Sequence, residues 1–256
     1  MSSTFLDGWR LAVGTLTVLP TRPPSRVDAA VARIAGVVAP LAVTPVAAAA
    51  AVVGWLLVPI GLPSLVAGLL MVAVTTWLTR AIHLDGLADT ADGLGSGRPP
   101  EQALAIMKRG DVGPMGVVTL IVVMGLQVAC VSGLLARPGG AALAGLAICA
   151  GRGALAVAAR HGVPAARRDG LGAAFASSTP VSVAVGLWVV LAGLLSAASL
   201  LSGRPWWQGL LAAVLAVAAI WYLVRRAVRR LGGITGDVLG ASVEVATTVL
   251  LVALVP

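Results

Sequence analysis

Asp85, Asp89 and Asp92 stand within eight residues of one another in HLDGLADTADGLGSG (residues 83–97), in a chain with only ten acidic residues. A helix over this stretch places them at i, i+4 and i+7, on one face across two turns. Like charges at that spacing repel, so the arrangement needs a neutraliser. The simplest is a divalent cation. Carboxylates are hard oxygen ligands, and Mg²⁺ takes one or two of them while sharing the rest of its shell with water and substrate phosphate. The glycines at 86, 93, 95 and 97 leave room for a bulky ligand or end the helix. The competing reading is a solvated acidic loop beside a membrane.

A second stretch, GGITGDVLGASVE (residues 232–244), opens on the pair Gly232 and Gly233, reaches Asp237 at the start of the last apolar run, and places Glu244 seven residues later on the same helical face. Glu244 then lies inside a membrane span, where an ionisable group costs roughly 3 kcal/mol on insertion scales and by default marks a functional site. The alternative is pairing with Arg152, which sits inside another apolar run, CAGRGALAV.

The elements that must position these groups follow from composition. With 59% hydrophobic and 11% charged residues and a mean hydropathy of +0.99, the chain reads as a polytopic membrane protein. Apolar runs at 34–58, 61–79, 115–136, 140–159, 181–201, 206–224 and 238–255 predict an all-α bundle of about seven transmembrane helices in a single membrane domain over residues 1–256. Residues 4–19 are too short and interrupted for a span and predict an interfacial or re-entrant helix; nothing there resembles a cleaved signal peptide. Cys130 and Cys149 both lie in apolar runs and read as small buried hydrophobes. Two histidines with cysteines so placed do not make a zinc site.

Charge placement orients the bundle. Arg22, Arg26 and Arg33, then Arg80, Arg98, Lys108 and Arg109, then Arg160, Arg167 and Arg168, then Arg225, Arg226, Arg229 and Arg230 all fall on one face of a seven-span layout; only Arg137 and Arg204 fall in the opposite loops. Cytoplasmic loops collect Lys and Arg, so that face is cytoplasmic. All the acidic residues share it. The net charge of +8 serves orientation and attraction to anionic headgroups or phosphates, and nucleic-acid binding is not needed to explain it. The bilayer is the expected partner, and the composition allows a homo-oligomer. Trp55, Trp77, Trp206, Trp207 and Trp221 near the run ends read as interface anchors.

HLDGLADTADGLGSG, with MKRGDVGPMG (107–116), AARRDGLGAAF (165–175), GGITGDVLGASVE (232–244) and the N-terminal LTVLPTRPP (16–24), resembles the cobalamin synthase (adenosylcobinamide-GDP ribazoletransferase) family over nearly the whole chain and in the same order. The resemblance implies a Mg²⁺-dependent enzyme of the bacterial inner membrane, its site cytoplasmic, that joins adenosylcobinamide-GDP to α-ribazole or its 5′-phosphate and releases GMP. Asp85, Asp89, Asp92, Asp237 and Glu244 are then the expected metal ligands or their neighbours. Asp92 or His83 is the expected general base. Lys108, Arg109, Asp111, Arg152, Arg167, Arg168, Gly232 and Gly233 are expected to bind substrate, arginine being suited to paired phosphate contacts. The family's usual segment reads like MKDSRIGAFG; here Arg109, Gly110 and Asp111 invert the order of acid and base, while Lys108 and Gly113 carry over. The alternatives are a CDP-alcohol phosphotransferase acting on phospholipid, which would release CMP, and a transporter, which would place ionisable groups near the midplane and show internal repeats.

Overall fold

A chain this apolar meets the bilayer's demand that every backbone N–H and C=O be satisfied internally by forming helices. The computed structural model describes residues 3–255; residues 1, 2 and 256 of the expected domain lie outside the described residues. The helices are α1 (Ser3–Leu16), α2 (Ala29–Ala42), α3 (Thr44–Leu57), α4 (Ser64–Leu78), α5 (Ile82–Gly95), α6 (Pro100–Ile106), α7 (Pro114–Leu135), α8 (Gly140–Gly151), α9 (Ala154–Ala158), α10 (Gly170–Phe175), α11 (Val181–Leu201), α12 (Trp206–Leu231) and α13 (Gly236–Leu254). Among the described residues, six segments are long and apolar enough to cross a membrane: Ala29–Leu57 (α2 with α3), α7, Gly140–Ala158 (α8 with α9), α11, α12 and α13. A seventh counts α4 with α5, which are bent by 90°.

That bend decides where the aspartates go. Alone, α4 has 15 residues, about 22 Å of rise, short of a hydrocarbon core of about 30 Å. Just past its end the chain turns at Arg80 and Ala81, consecutive non-glycine residues with left-handed φ of 56° and 54°. Each costs about 1–2 kcal/mol of backbone energy. The elbow keeps its hydrogen bonds, Arg80 N donating to Trp77 O at 3.0 Å and Ala81 N to Thr76 O at 2.8 Å. The stretch after Arg80 is a helix, but it does not prolong the span: α5 lies across the end of the bundle.

Two boundaries differ from the apolar runs. The first span starts at Ala29, five residues before position 34, because Asp28 caps it, its carboxylate accepting from Val31 N at 2.9 Å. The sixth continues past 224 to Leu231, so Arg225, Arg226, Arg229 and Arg230 ride on the last turns of α12. Cations are favoured at a helix C-terminus, and Arg225 lies over the Trp221 ring, 4.9 Å from its centroid. The N-terminal stretch forms α1, which packs along α2 where Gly8 leaves no room for a Cβ beside Ile34. Buried Asp7 ties it down by accepting from Ser25 N at 2.9 Å and from the Ser25 hydroxyl.

Between spans the contact is made by small residues, which let backbones approach where lipid supplies no hydrophobic drive. Ala32, Ala35, Ala39, Ala47 and Ala50 are buried along α2 and α3, and Ala144, Ala147 and Ala150 along α8. The tryptophans named above are exposed on the outside. At the end away from the aspartates, Arg204 donates to Leu254 O, and Gln208 donates to Ala253 O and Val255 O, each at 3.1 Å, so the last carbonyls of α13 are satisfied.

Candidate active site

α5 crosses α13 at close range. A Cβ on Gly86 would stand 2.8 Å from Asp237 O, and one on Gly240 would stand 3.3 Å from His83 Cα. Only glycine permits that approach, and it brings Asp85 and Asp89 beside Asp237. Asp85 is exposed; Asp89 and Asp237 are half-buried. Thr235 caps α13, its hydroxyl oxygen accepting from Val238 N at 3.3 Å and its O–H donating to Asp237 Oδ2 at 3.1 Å. Burial, then the charges of Asp85, Asp237 and Asp92, push the Asp89 carboxyl up to about 6 against the opposing pull of Arg167. The cluster is therefore self-repelling as folded.

Asp92 has a different task. Its Oδ2 accepts from Gly113 N at 2.7 Å and its Oδ1 from Gly116 N at 2.9 Å. These are N–H groups of the cap and first turn of α7, which have no intrahelical partner and attract negative charge. A Cβ on Gly113 or Gly116 would lie 2.5 or 2.4 Å from that carboxylate. Buried Asp92 thereby fastens α5 to α7, and its oxygens are already engaged by backbone.

On the other side of Asp237 lies a cavity of about 260 Å³ whose walls include Lys108, Arg167, Asp169, Thr235, Gly236 and Asp237. It joins three separate sequence stretches at the N-terminus of α13, a place that itself favours anions. Arg167 is steadied by donating to Leu104 O. Lys108 Nζ stands 4.0 Å from Asp169 Oδ2, both exposed, a pairing too solvated to hold the lysine away from a ligand. Arg109, Asp111 and Arg168 are exposed and outside these walls. Gly232 and Gly233 are also outside them and serve the backbone: Gly232, at φ 82°, ends α12, and Gly233 packs where a Cβ would meet Ala166 N at 2.5 Å. That approach lets Ala166 N donate to Ile234 O and Ile234 N to Pro164 O, each at 2.9 Å, which sets the Arg167 loop against α13.

A second polar layer lies inside the bundle. Glu244, two turns below Asp237 and about 10.5 Å along the axis, is buried and accepts from Gln127 Nε2 at 2.7 Å; the same nitrogen donates to Thr248 Oγ1 at 3.0 Å. Arg152, 1% exposed, donates through Nη1 to Ile148 O at 2.9 Å. It lines a cavity of about 20 Å³ with Gln127, Glu244 and Thr247, room for one water molecule. Arg152 thus lines the inner cavity with Glu244, whose charge acts on it, and is not among the walls around Lys108 and Arg167. His83 is buried too, its Nδ1 4.0 Å from Glu244 Oε1, beyond hydrogen-bond reach. Gln127 escaped sequence reasoning, although a lone amide in the apolar run 115–136 is the signal that marks it.

The comparisons with known proteins bear on this geometry. The model of the family described as cobalamin-5-phosphate synthase matches residues 8–255. The chain belongs to that family. An adenosylcobinamide-GDP ribazoletransferase of a Nocardioides species is 45% identical over 247 residues, covering 96% of this chain and 97% of the relative. Those of Sinorhizobium medicae and Bradyrhizobium diazoefficiens are 41% and 37% identical, covering 84% and 94% of this chain and 82% and 90% of theirs. No solved structure matches. As a cobalamin synthase family member the chain is a membrane-integral transferase of cobalamin biosynthesis, and the sites above are to be read as those of an enzyme.

Mg²⁺ is the cofactor the family resemblance implies. Among the described residues no three His, Cys, Asp or Glu side chains gather closely enough to hold an ion; the five carboxylates expected around a metal are divided between the outer cluster, the α7 cap and the inner layer. The outer cluster nonetheless fits Mg²⁺ in donor chemistry. Asp85, Asp89 and Asp237 are hard oxygen donors that repel one another, and Mg²⁺ needs only one or two protein carboxylates beside water and phosphate.

Proposed function

We propose that this chain transfers the adenosylcobinamide phosphate moiety of adenosylcobinamide-GDP to α-ribazole or its 5′-phosphate, giving adenosylcobalamin or its 5′-phosphate and GMP, with Mg²⁺, at the cytoplasmic face of the bacterial inner membrane. The observation that carries this reading is the cavity in which Lys108 and Arg167 share walls with Asp237 at the start of α13. Two cations and a helix N-terminus suit a diphosphate, and the carboxylates beside them suit the metal that such a transfer uses. The relatives' name, adenosylcobinamide-GDP ribazoletransferase, supplies the donor and acceptor.

In the reaction a ribose hydroxyl attacks the phosphorus attached to cobinamide. A new P–O bond forms as the bond to the GMP phosphate oxygen breaks, and GMP departs with the electron pair. Arg167 and Lys108 hold the diphosphate and offset the charge that gathers on it. Asp89 and Asp237 would hold Mg²⁺, which would supply charge neutralisation at the phosphoryl group. Asp85, the exposed member of the cluster, takes the proton of the attacking hydroxyl. Asp92 keeps α5 docked on α7 so that these groups stay in register.

The test is release of GMP by the purified full chain in lipid, dependent on adenosylcobinamide-GDP, ribazole and Mg²⁺. Release of CMP from a CDP-alcohol donor in its place would overturn the reading. For sidedness, cysteines placed at Arg98, Arg168 and Arg229 should resist labelling from outside intact cells, and labelling there would reverse the orientation.

A further inference from the structure

A groove of about 610 Å³ runs along the flank of the bundle between α4, the elbow, α5 and α7. Leu84, Ala88, Leu120 and Met124 line it, Asp85 stands at one edge, and Arg80 lies at the elbow. It shares no lining residue with the cavity of Lys108 and Arg167. Asp85 lines the groove and Asp237 the cavity, and their charges act on each other and on Asp89. Attack and departure in a phosphoryl transfer lie roughly in line. A donor diphosphate in the cavity therefore leaves the groove as the approach for the acceptor.

We infer that this groove is the acceptor subsite and takes an aromatic nucleoside from the membrane flank. Its uncharged bicyclic base lies on Leu84, Leu120 and Met124, its ribose hydroxyl points to Asp85, and a 5′-phosphate, where present, meets Arg80. The inference rests on the transfer reaction proposed above and goes further by naming where one substrate binds and what distinguishes its phosphorylated form. The apolar walls match an uncharged aromatic base. Asp85 is the only carboxylate on the groove and serves a hydroxyl donor. Arg80 gives one N–H to Gly14 O and, being exposed, keeps other donors of its planar fork for a phosphate. The strained elbow at Arg80 and Ala81 now has a task, because it sets Arg80 and Asp85 on the same groove.

The experiment compares steady-state GMP release by the full chain in lipid with ribazole and with ribazole 5′-phosphate. Leu120→Trp fills the groove and should raise KM for both acceptors by about tenfold or more while leaving KM for adenosylcobinamide-GDP within about twofold. Arg80→Gln should raise KM about tenfold for the phosphorylated acceptor and leave that for ribazole unchanged. If Leu120→Trp does not fold, Met124→Phe carries the same comparison. Unshifted acceptor KM values, an equal rise for the donor, or an altered response to lipid composition alone would overturn the subsite and return the groove to lipid. Absence of GMP release by the wild type with either acceptor would overturn the proposed reaction as well, so the two failures are distinct.

Discussion

Asp237 and Glu244 lie two turns apart on one face of α13, and the difference between their surroundings separates the working end of the molecule from its interior. Glu244 is buried, yet it accepts from Gln127 and is opposed by Arg152. Asp237 is half-buried among aspartates that raise the cost of its neighbour Asp89, with Arg167 the one cation that offsets them. A buried acid with partners has its desolvation cost offset by the bundle that holds it. A crowd of acids short of partners is held together by the surrounding fold and invites a cation. The same residue type on one helix thus serves packing at depth and chemistry at the edge.

The strongest way to break this comparison is to remove a charge from the outer cluster. Asp89→Asn should cut GMP release by about 100-fold or more, since charge neutralisation carries most of such a reaction, yet raise the thermal midpoint measured in chelator. The sign follows from the raised carboxyl of Asp89. A group near 6 in the folded state and 3.8 otherwise binds more protons folded, so the stability of the metal-free wild type should fall as pH rises from about 4 to about 6 and level off above. Thermal melts across that window should show the fall in the wild type and a flatter profile in Asp89→Asn. Mg²⁺ should raise the wild-type midpoint by mass action on the folded state and do so less in the variant.

The inner layer should respond in the opposite sense. Arg152→Met removes the nearby charge that acts on Glu244 and the bond to Ile148 O, and should destabilise the protein by about 1–3 kcal/mol. Adding Glu244→Gln should recover part of that loss, and the double variant should retain Mg²⁺-dependent turnover. If Arg152→Met kept its thermal midpoint but lost donor affinity, the assignment of Arg152 to the inner layer would fail. A smaller effect is expected where the layers meet. Gly86→Ala forces a methyl onto the Asp237 backbone and should cost about 1–3 kcal/mol, with turnover falling as Asp85 and Asp89 move from Asp237; unchanged kinetics would show that the crossing does not set the site. Smallest is Lys108→Met. The thermal midpoint should hardly move, because the exposed pair with Asp169 is worth about 0–1 kcal/mol, while KM for the donor rises.

How far the site was legible in the sequence varies residue by residue. Asp85, Asp89, Lys108, Arg167 and Asp237 could be singled out because a charged group beside an apolar run is conspicuous. Asp92 belongs to the same spacing pattern, yet its place under the first turn of α7 depends on Gly113 and Gly116, 21 and 24 positions away. Arg152 stands inside an apolar run and Arg167 in a loop, and the sequence offered Arg152 both a substrate role and Glu244 as a neighbour; which cavity it lines depends on the packing of α8 against α13. Gly232 and Gly233 stand near Asp237 in sequence but shape backbone at the end of α12 and along Ala165 and Ala166.

By itself the sequence determined that this is a helical membrane protein with its ionisable groups gathered at one end, because hydropathy and loop charge are sums over local composition and the bilayer reads them without regard to tertiary contacts. It also placed Asp85, Asp89 and Asp92 on one face of any helix formed there, since that depends on spacing alone. Only the tertiary structure decided that this helix turns 90° from the span before it, that the acids fall into an outer layer, a cap and an inner layer, and that a groove and a cavity flank the first of these. Such features are set by close approach between distant segments, at Gly86 on Asp237 and at Gly233 on Ala166, where the deciding quantity is a backbone separation of a few ångströms that no single segment encodes.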